Sequence, residues 1–346
     1  LGTLYGACAR GGLLTKDIGE LKRIFLSPGP IFDPEDRMDD YWGYTEAFYS
    51  VGFRPGDVVQ VTFNYHLSPA GLMFEEPLRN LGCASIPAGP TDPGTQLDIM
   101  QKLRVSGYVG TASYLMHLAQ KAEEKGINLR KDLFQEVAFV TGERLSEKMR
   151  NQLEKKFDII LRQGYGTADV GCIGYECFHK TGLHISNRCY VEICHPDTGI
   201  PLKDGEVGEI VVTSFNKTYP LIRLATGDLS YIDRAPCACG RTSPRLGSIV
   251  GRVDTTARIK GMFVYPHQVE QVMARFEDIK RWQIEVINPG GIDEMILYVE
   301  ASNFHQEDEL LHLFRERIKL RPELKVLAPG TLPPQIKPIE DKREWD

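Results

Sequence analysis

Short apolar runs that alternate with amphipathic segments between residues 56 and 162 restrict the fold of this 346-residue chain more than any other feature. Each apolar run predicts a buried strand, and each following segment carries apolar residues at helical spacing. Strands and helices that alternate in this way predict an α/β fold, with a βαβ sheet covered by helices on both faces. The predicted elements are strand 56–64, helix 69–81, strand 83–87, helix 98–105, strand 107–110, helix 113–125, strand 134–141, helix 146–157 and strand 159–162.

The pattern changes twice in the second half of the chain. From Arg188 onward, short strand-like runs are joined by turn signals, which predicts a β-rich, antiparallel subdomain. After residue 252 a small α+β module is predicted, with strand 257–264, helix 266–276, strands 281–286 and 295–300, helix 306–319 and a proline-rich tail. We therefore predict a large domain over residues 1–252 and a small domain over residues 253–346. Because the chain begins without Met, the large domain is expected to be incomplete at its N-terminus.

Composition excludes several classes of protein. A formal net charge of −6 argues against nucleic-acid binding, which needs a basic surface. The sequence has no stretch of about 18 apolar residues that would predict a membrane span, and its first residues lack the features of a signal peptide. Eight cysteines in a chain of this length do not form a disulfide scaffold, so we expect a cytoplasmic protein.

Three cysteines and a histidine have the spacing of a metal site. Cys177 and His184 are separated by six residues, and Cys237 and Cys239 flank a single alanine. Three thiolates and one imidazole complete a tetrahedral zinc site, and four protein ligands leave no position for water. We expect a structural zinc ion that joins the two ends of the β-rich segment. His179 is an alternative to His184, and the competing interpretation is four unrelated buried residues.

Two further segments favour nucleotide binding. The turn from Gly164 to Asp169 follows strand 159–162, and ligands bind at the carboxyl ends of strands in open α/β sheets. Its glycines permit close approach of a ligand, Tyr165 offers a stacking face, and Asp169 can hold Mg²⁺. Asp228 follows a Thr-Gly turn, where a carboxylate can accept both hydroxyl groups of a ribose.

In order and spacing, these segments resemble the motifs of the AMP-forming acyl-CoA synthetases, the adenylate-forming superfamily. Within it the chain is most similar to the phenylacetate-CoA ligases and the coenzyme F390 synthetases, which also show a Cys…His…Cys-x-Cys arrangement. The resemblance covers residues 20–343. It is carried by Pro220-Leu-Ile-Arg223, Thr226-Gly-Asp228, Cys237-Ala-Cys-Gly-Arg241, Pro244-Arg-Leu, Gly251-Arg-Val-Asp254, Lys260-Gly and Val264-Tyr-Pro266.

The resemblance implies a set of site residues. Asp169, Arg252 and Lys342 are the candidate catalytic residues, with Asp169 as the Mg²⁺ ligand. The acyl pocket is implied around Tyr65, His66, Ala70 and Gly71. The nucleotide, ATP or AMP, is implied to contact Gly142, Glu143, Tyr165, Gly166, Thr167, Asp228, Arg245 and Lys260.

Two motifs of the superfamily are altered. Its phosphate loop is rich in hydroxyl residues and ends in Lys, whereas the matching stretch from Leu26 to Pro34 has three prolines and an aspartate. Prolines remove N–H donors, and an aspartate beside a phosphate is electrostatically unfavourable. The Gly-Lys pair near the C-terminus is also absent, so Lys342 or Lys337 would have to replace its lysine.

The implied activity is ATP-dependent ligation of a carboxylic acid to coenzyme A through an acyl-adenylate. A small aromatic acid such as phenylacetate is the expected substrate, because glycine and alanine leave space beside Tyr65. Two alternatives remain: a protein that binds adenylates or acyl-CoA without catalysis, and an adenylating enzyme with another acceptor. The resemblance also implies a homodimer, although no residue pattern requires one.

Overall fold

The structure is a computed structural model that describes residues 12–27, 31–253, 257–259, 262–287, 289 and 294–343. Within these ranges, no helix combines the length and the apolar character that crossing a membrane would require.

The described chain begins with one turn of 3₁₀ helix (Ile18–Glu20), which an antiparallel hairpin and a short α-helix follow. The hairpin consists of β1 (Arg23–Ser27) and β2 (Ile31–Glu35), in which Phe25 lies opposite Asp33. Helix α1 (Thr45–Val51) buries Phe48 and Val51 in a large apolar cluster. The stretch that matches a phosphate loop in sequence therefore forms most of a β-hairpin, although residues 28–30 lie outside the described part.

The predicted alternation of strands and helices is confirmed. Strands pair in parallel in the order β4-β3-β5-β6-β7, and β5 and β6 are buried over their full length. Three helices begin at Asp92, Thr111 and Ser146, whose side chains accept a backbone N–H from the first turn. The elements are β3 (Val58–Val61), α2 (Ala70–Asn80), β4 (Ala84–Pro87), α3 (Pro93–Lys102), β5 (Gly107–Gly110), α4 (Ala112–Glu124), β6 (Val137–Val140), α5 (Glu147–Phe157) and β7 (Ile160–Thr167).

The β-rich segment continues this sheet and adds a second one. The second half of β7 pairs antiparallel with β8, so the sheet extends to nine strands in the order β13-β14-β9-β8-β7-β6-β5-β3-β4. A separate antiparallel sheet has the order β10-β11-β12-β15 and places Asp228 opposite Arg252. The strands are β8 (Gly171–Glu176), β9 (Leu183–Ile185), β10 (Cys189–Cys194), β11 (Gly208–Ser214), β12 (Leu224–Ser230), β13 (Ile232–Asp233), β14 (Arg245–Leu246) and β15 (Gly251–Arg252).

The remaining described residues form a module with its own core. A buried apolar cluster runs from Ala257 to Ile339, and a four-stranded sheet has the order β20-β19-β18-β21. The elements are β16 (Ala257–Ile259), β17 (Met262–Val264), α6 (Pro266–Met273), β18 (Arg281–Ile287), β19 (Glu294–Glu300), α7 (Glu307–Ile318), β20 (Glu323–Leu327) and β21 (Ile339–Asp341).

Two sequence predictions for this module were wrong. The single strand expected over residues 257–264 is a hairpin of β16 and β17. The proline-rich tail contributes β20 and β21, each paired in parallel with a strand distant in sequence. Its prolines lie outside the two strands, where no ladder hydrogen bond is lost.

An ion pair joins the small module to the large body. Arg144, in the segment after β6, donates from Nη1 to Glu270 Oε2 on α6 over 2.9 Å. Both side chains are about half exposed, at 51% each.

Candidate active site

A cavity of about 670 Å³ lies where the carboxyl ends of β6 and β7 face the small module. Three segments supply most of its lining: 141–147, 163–166 and 247–252. The remaining lining residues come from β8 and β9 and their connection, from β12 and from the small module: Glu176, Lys180, Gly182, Leu183, Asp228, Pro266 and Pro338. The position agrees with the general rule for ligand sites in open α/β sheets.

Tyr165, Asp228 and Arg252 meet in this cavity. The Tyr165 hydroxyl donates to Asp228 Oδ2 over 2.8 Å, and Arg252 Nη1 donates to Asp228 Oδ1 over 3.0 Å. Burial, followed by the charge of Asp228, raises the pKa of Tyr165 well above its ordinary value, so the hydroxyl remains a donor. The structure thus brings together three residues that are separated by up to 87 positions in sequence.

Gly227 fits the close approach of Arg252 to Asp228. Its φ is +78°, and a Cβ at this position would lie 2.8 Å from Arg252 Nη2. A larger residue would be strained and would displace the guanidinium group.

Gly142 and Glu143 also line the cavity. Glu143 accepts hydrogen bonds from the backbone N–H of Ser113 over 2.6 Å and from its hydroxyl over 2.8 Å. Gly142 has a φ of +83°, so it turns the chain sharply after β6. Gly166 lines the cavity too, whereas the next residue, Thr167, accepts the N–H of Val170 and is not part of the lining.

Asp169 lies just beyond the cavity lining. It is near Asp33, which the sequence analysis did not identify as a candidate ligand. The Tyr219 hydroxyl is 3.5 Å from Asp169 Oδ1, and Asp33 lies close enough for the two carboxylates to repel. Burial raises the pKa of Asp33 to about 6; the hydrogen bond from Ser27 opposes this rise and the charge of Asp169 adds to it. The only sequence signal for Asp33 was its unfavourable charge in a phosphate-loop position.

The four residues expected around the acyl pocket do not line this cavity. The ring of Tyr65 packs over Gly71, where a Cβ would lie 2.6 Å from the ring, so it fills the space predicted for a substrate. His66 is exposed and Ala70 packs beside the main core. A second cavity, of about 480 Å³, is lined instead by neighbouring residues that include Phe63, Tyr114 and His117.

Three other candidates lie elsewhere. Arg245 is buried beside β9, where it pairs with Asp233 over 2.6 Å, and is not among the lining residues. Lys342 pairs with Glu285 over 2.7 Å. Lys260 lies outside the described residues.

Cys177, His184, Cys237 and Cys239 converge at one point. Their ligand atoms all lie within 4.8 Å of one another. Cys177 Sγ is 3.7 Å from Cys237 Sγ, and Cys239 Sγ is 3.3 Å from His184 Nε2. The other ring nitrogen of His184, Nδ1, lies 3.2 Å from the hydroxyl of Ser243.

The thiol of Cys237 has an unusual pKa. Burial acts to raise it, but hydrogen bonds from the backbone and side chain of Cys239, and from Thr181 and His184, outweigh that effect and lower it to about 5. A thiolate is therefore favoured at neutral pH. Burial raises the pKa of Cys177, by contrast, to about 11.

A buried ion pair connects this cluster to the cavity. Glu176, the residue before Cys177, accepts two hydrogen bonds from Arg150, at 2.6 and 2.9 Å, and both side chains are at most 3% exposed. Glu176 also accepts the N–H of Gln163, another lining residue. Sequence patterns gave no indication of this pair, because its partners lie on α5 and β8.

Comparison with known proteins identifies the family of this chain. The family model described as "AMP-binding enzyme" matches residues 42–217, slightly more than half of the chain, and the model for the "AMP-binding enzyme C-terminal domain" matches residues 261–343. The phenylacetate-coenzyme A ligase of Thermus thermophilus is 32% identical over 307 residues, which cover 82% of this chain and 69% of the relative. The enzyme of the same name from Escherichia coli K12 is 28% identical over 318 residues, covering 85% of this chain and 71% of the relative.

Among solved structures, an open conformation of 2-hydroxyisobutyryl-CoA ligase in complex with 2-HIB-AMP and CoA superposes with a TM-score of 0.80. It is 22% identical, and the match covers 94% of this chain and 76% of that one. At this identity the superposition establishes the fold. The matched family models and curated relatives show that the chain belongs to the AMP-binding enzyme family, in its phenylacetate-CoA ligase-like branch.

Proposed function

We propose that this chain joins a carboxylic acid to coenzyme A in a reaction that cleaves ATP to AMP and pyrophosphate. The acid is a small aromatic one such as phenylacetate. In the first step a carboxylate oxygen attacks the α-phosphorus of ATP, and the bond to the bridging oxygen breaks to release pyrophosphate. In the second, the sulfur of coenzyme A attacks the carbonyl carbon of the acyl-adenylate. The bond to the AMP oxygen then breaks, and the thiol proton passes to solvent. The family membership and the curated relatives support this reaction.

The observation that carries the proposal is the meeting of Tyr165, Asp228 and Arg252 in one cavity. In the proposed complex, Asp228 accepts the ribose hydroxyls, and Arg252, already held against Asp228, lies beside the ribose or the α-phosphate. Gly142, Glu143, Tyr165 and Gly166 form the walls around the adenine. Donors fixed in this way stabilise developing charge without reorganisation during the reaction.

Lys342 and Lys337 are the two candidates to replace the lysine of the Gly-Lys pair, which this chain lacks. Lys342 is engaged by Glu285, at 2.7 Å, and by Glu340, at 3.5 Å. Lys337 is exposed and precedes Pro338, which lines the cavity. Position therefore favours Lys337 as the cation that reaches the reacting phosphate.

Exchange of labelled pyrophosphate into ATP tests the first step. Exchange that depends on an added aromatic acid, followed by thioester formation when coenzyme A is supplied, is the expected result. Exchange without thioester formation would indicate another acceptor. Tight AMP binding without exchange for any acid would contradict the proposal and favour a binding protein.

We also propose that Cys177, His184, Cys237 and Cys239 hold one structural zinc ion. A tetrahedron with Zn–S bonds of about 2.3 Å has edges of about 3.8 Å. The 3.7 Å between the sulfurs of Cys177 and Cys237 fits this value. The contact of His184 Nδ1 with Ser243 leaves Nε2 directed at the sulfurs, as metal-binding imidazoles require. Zinc bound there would tie the segment before β9 to the turn before β14.

Metal analysis with paired variants tests the zinc site. We expect one zinc ion per chain in the wild type and in Cys83→Ser, whose buried thiol lies outside the cluster. Cys237→Ser should lose the metal and melt at a lower temperature, because zinc binding contributes directly to folding. Equal zinc contents in Cys237→Ser and the wild type would contradict the assignment.

A further inference from the structure

Asp33 is a buried carboxylate with an unsatisfied oxygen. The side chain is 0% exposed, and its Oδ2 accepts a hydrogen bond from the hydroxyl of Ser27. Its Oδ1 has no hydrogen-bond partner among the described residues. A buried ionised group without a partner is unfavourable, so a structure that retains one usually provides a counter-charge.

Packing connects the hairpin face that carries Asp33 to the turn that carries Asp169. Asp33 lies directly opposite Phe25 in the hairpin, so the two side chains share one face. The ring of Phe25 is 5.7 Å from that of Trp42, and the Trp42 indole N–H donates to the carbonyl of Ala168 over 3.2 Å. The face that carries Asp33 is therefore connected, through Trp42, to the residue that precedes Asp169.

Neighbouring basic side chains are engaged by other carboxylates. Lys22 and Arg23 pair with Glu35, at 2.8 and 3.0 Å, and Lys16 pairs with Asp36 at 2.8 Å. Among the residues that the structure describes, no lysine, arginine or histidine forms an ion pair with Asp33 or with Asp169. The two carboxylates thus form an anionic site that no described side chain neutralises.

We propose that Asp33 and Asp169 together bind one divalent cation, Mg²⁺ or Mn²⁺, which carries the phosphates of the nucleotide. Mg²⁺ is commonly held by one or two carboxylates plus substrate phosphates and water, and the orphaned oxygen of Asp33 supplies the second carboxylate. This inference rests on the proposed function for the identity of the phosphate ligand. It accounts for an aspartate in a phosphate-binding stretch: the metal, rather than a lysine, compensates the phosphate charge.

Mn²⁺ binding, followed by the paramagnetic signal of the free ion, tests the site directly. Mn²⁺ prefers oxygen ligands and leaves thiolate sites to zinc. The wild-type protein, stripped of loosely bound metal, is titrated with and without ATP and compared with Asp33→Asn and Asp169→Asn. Each substitution should weaken Mn²⁺ binding at least about tenfold, since even the loss of groups that only support ligands costs about 10- to 100-fold.

The matched control is Asp36→Asn, because Asp36 lies in the same segment but is already neutralised by Lys16. It should bind Mn²⁺ as tightly as the wild type. Thermal melting adds a second readout. Without metal, Asp33→Asn should melt no lower than the wild type, because it removes an unpaired buried charge, and added Mn²⁺ should stabilise only the wild type and Asp36→Asn.

Equal Mn²⁺ affinity in Asp33→Asn and the wild type, or no Mn²⁺ binding by the wild type with ATP, would overturn the inference. A lower melting temperature of Asp33→Asn with unchanged Mn²⁺ affinity would show a purely structural role and would also overturn it. These outcomes are separate from the pyrophosphate exchange. Asp33-dependent Mn²⁺ binding without exchange for any acid would reject the proposed function and retain the metal site.

Discussion

The proposed nucleotide site has two ends that differ in their charges: one is part of the cavity lining, and the other lies just beyond it. At the end near β12, opposite charges and donors are matched: Asp228 accepts from both Tyr165 and Arg252. At the end near the β1–β2 hairpin, two carboxylates, Asp33 and Asp169, repel each other. The charges of the first end are matched, whereas at the second end no side chain in the described part of the chain forms an ion pair with either carboxylate. We therefore expect recognition of a nucleoside and binding of its phosphates to be separable properties of this chain.

The largest expected effect is on pyrophosphate exchange. It concerns Lys337, the lysine of the small module that is proposed to reach the phosphates at the second end. Lys337→Ala should lower acid-dependent pyrophosphate exchange by about 100- to 1,000-fold, the usual cost of removing one charge-stabilising donor. Thioester formation from a supplied acyl-adenylate should change much less. Lys342→Ala is the matched control, and a change of about fivefold or less is expected because its ion pairs are exposed. The reverse pattern would assign the role to Lys342.

The next effect tests the matched end. Asp228→Asn keeps the shape of the side chain but removes the charge that binds Arg252 and Tyr165. Two charge-assisted hydrogen bonds are weakened, so kcat/KM for ATP should fall by about 100-fold. Asp204→Asn, which alters an exposed pair with Arg234, should leave kcat/KM for ATP unchanged. If Asp228→Asn behaves like this control, the two ends do not differ in the way described.

The smallest effect isolates one hydrogen bond at that end. Tyr165→Phe removes the hydroxyl that donates to Asp228 and retains the aromatic ring. The affinity for AMP should fall by about tenfold, the cost of one hydrogen bond to a charged group. Mn²⁺ affinity without nucleotide should stay constant, because Asp33 and Asp169 are untouched. A parallel loss of metal binding, measured in the same titration, would show that the two ends are coupled.

Local patterns in the sequence predicted the parallel sheet and its helices well. Buried strands such as β5 and β6 are continuous apolar runs, and the caps at Thr111 and Ser146 are local signals. Strands β20 and β21 were not predicted, because their pairing with β19 and β18 depends on tertiary contacts. Short polar strands of this kind carry little periodicity of their own.

Motif spacing likewise located part of the candidate site. The Cys/His cluster was predicted from residue types at characteristic distances in sequence, and the resemblance placed Tyr165 and Asp228 at one nucleotide. Spacing could not show that the ring of Tyr65 fills the space over Gly71, since side-chain packing decides that. Nor could it show that Arg245 is held by Asp233 instead of a nucleotide. Both outcomes depend on neighbours that come from distant segments.

The pair between Arg144 and Glu270 has a consequence for motion. Two half-exposed partners at 2.9 Å contribute at most about 1 kcal/mol in water. An ion pair of that strength helps to orient the small module against the large body, yet thermal energy at room temperature can break it readily. Breaking this pair would therefore add little free energy to a reorientation of the module. Added salt would weaken the pair further and leave the buried core of each half intact.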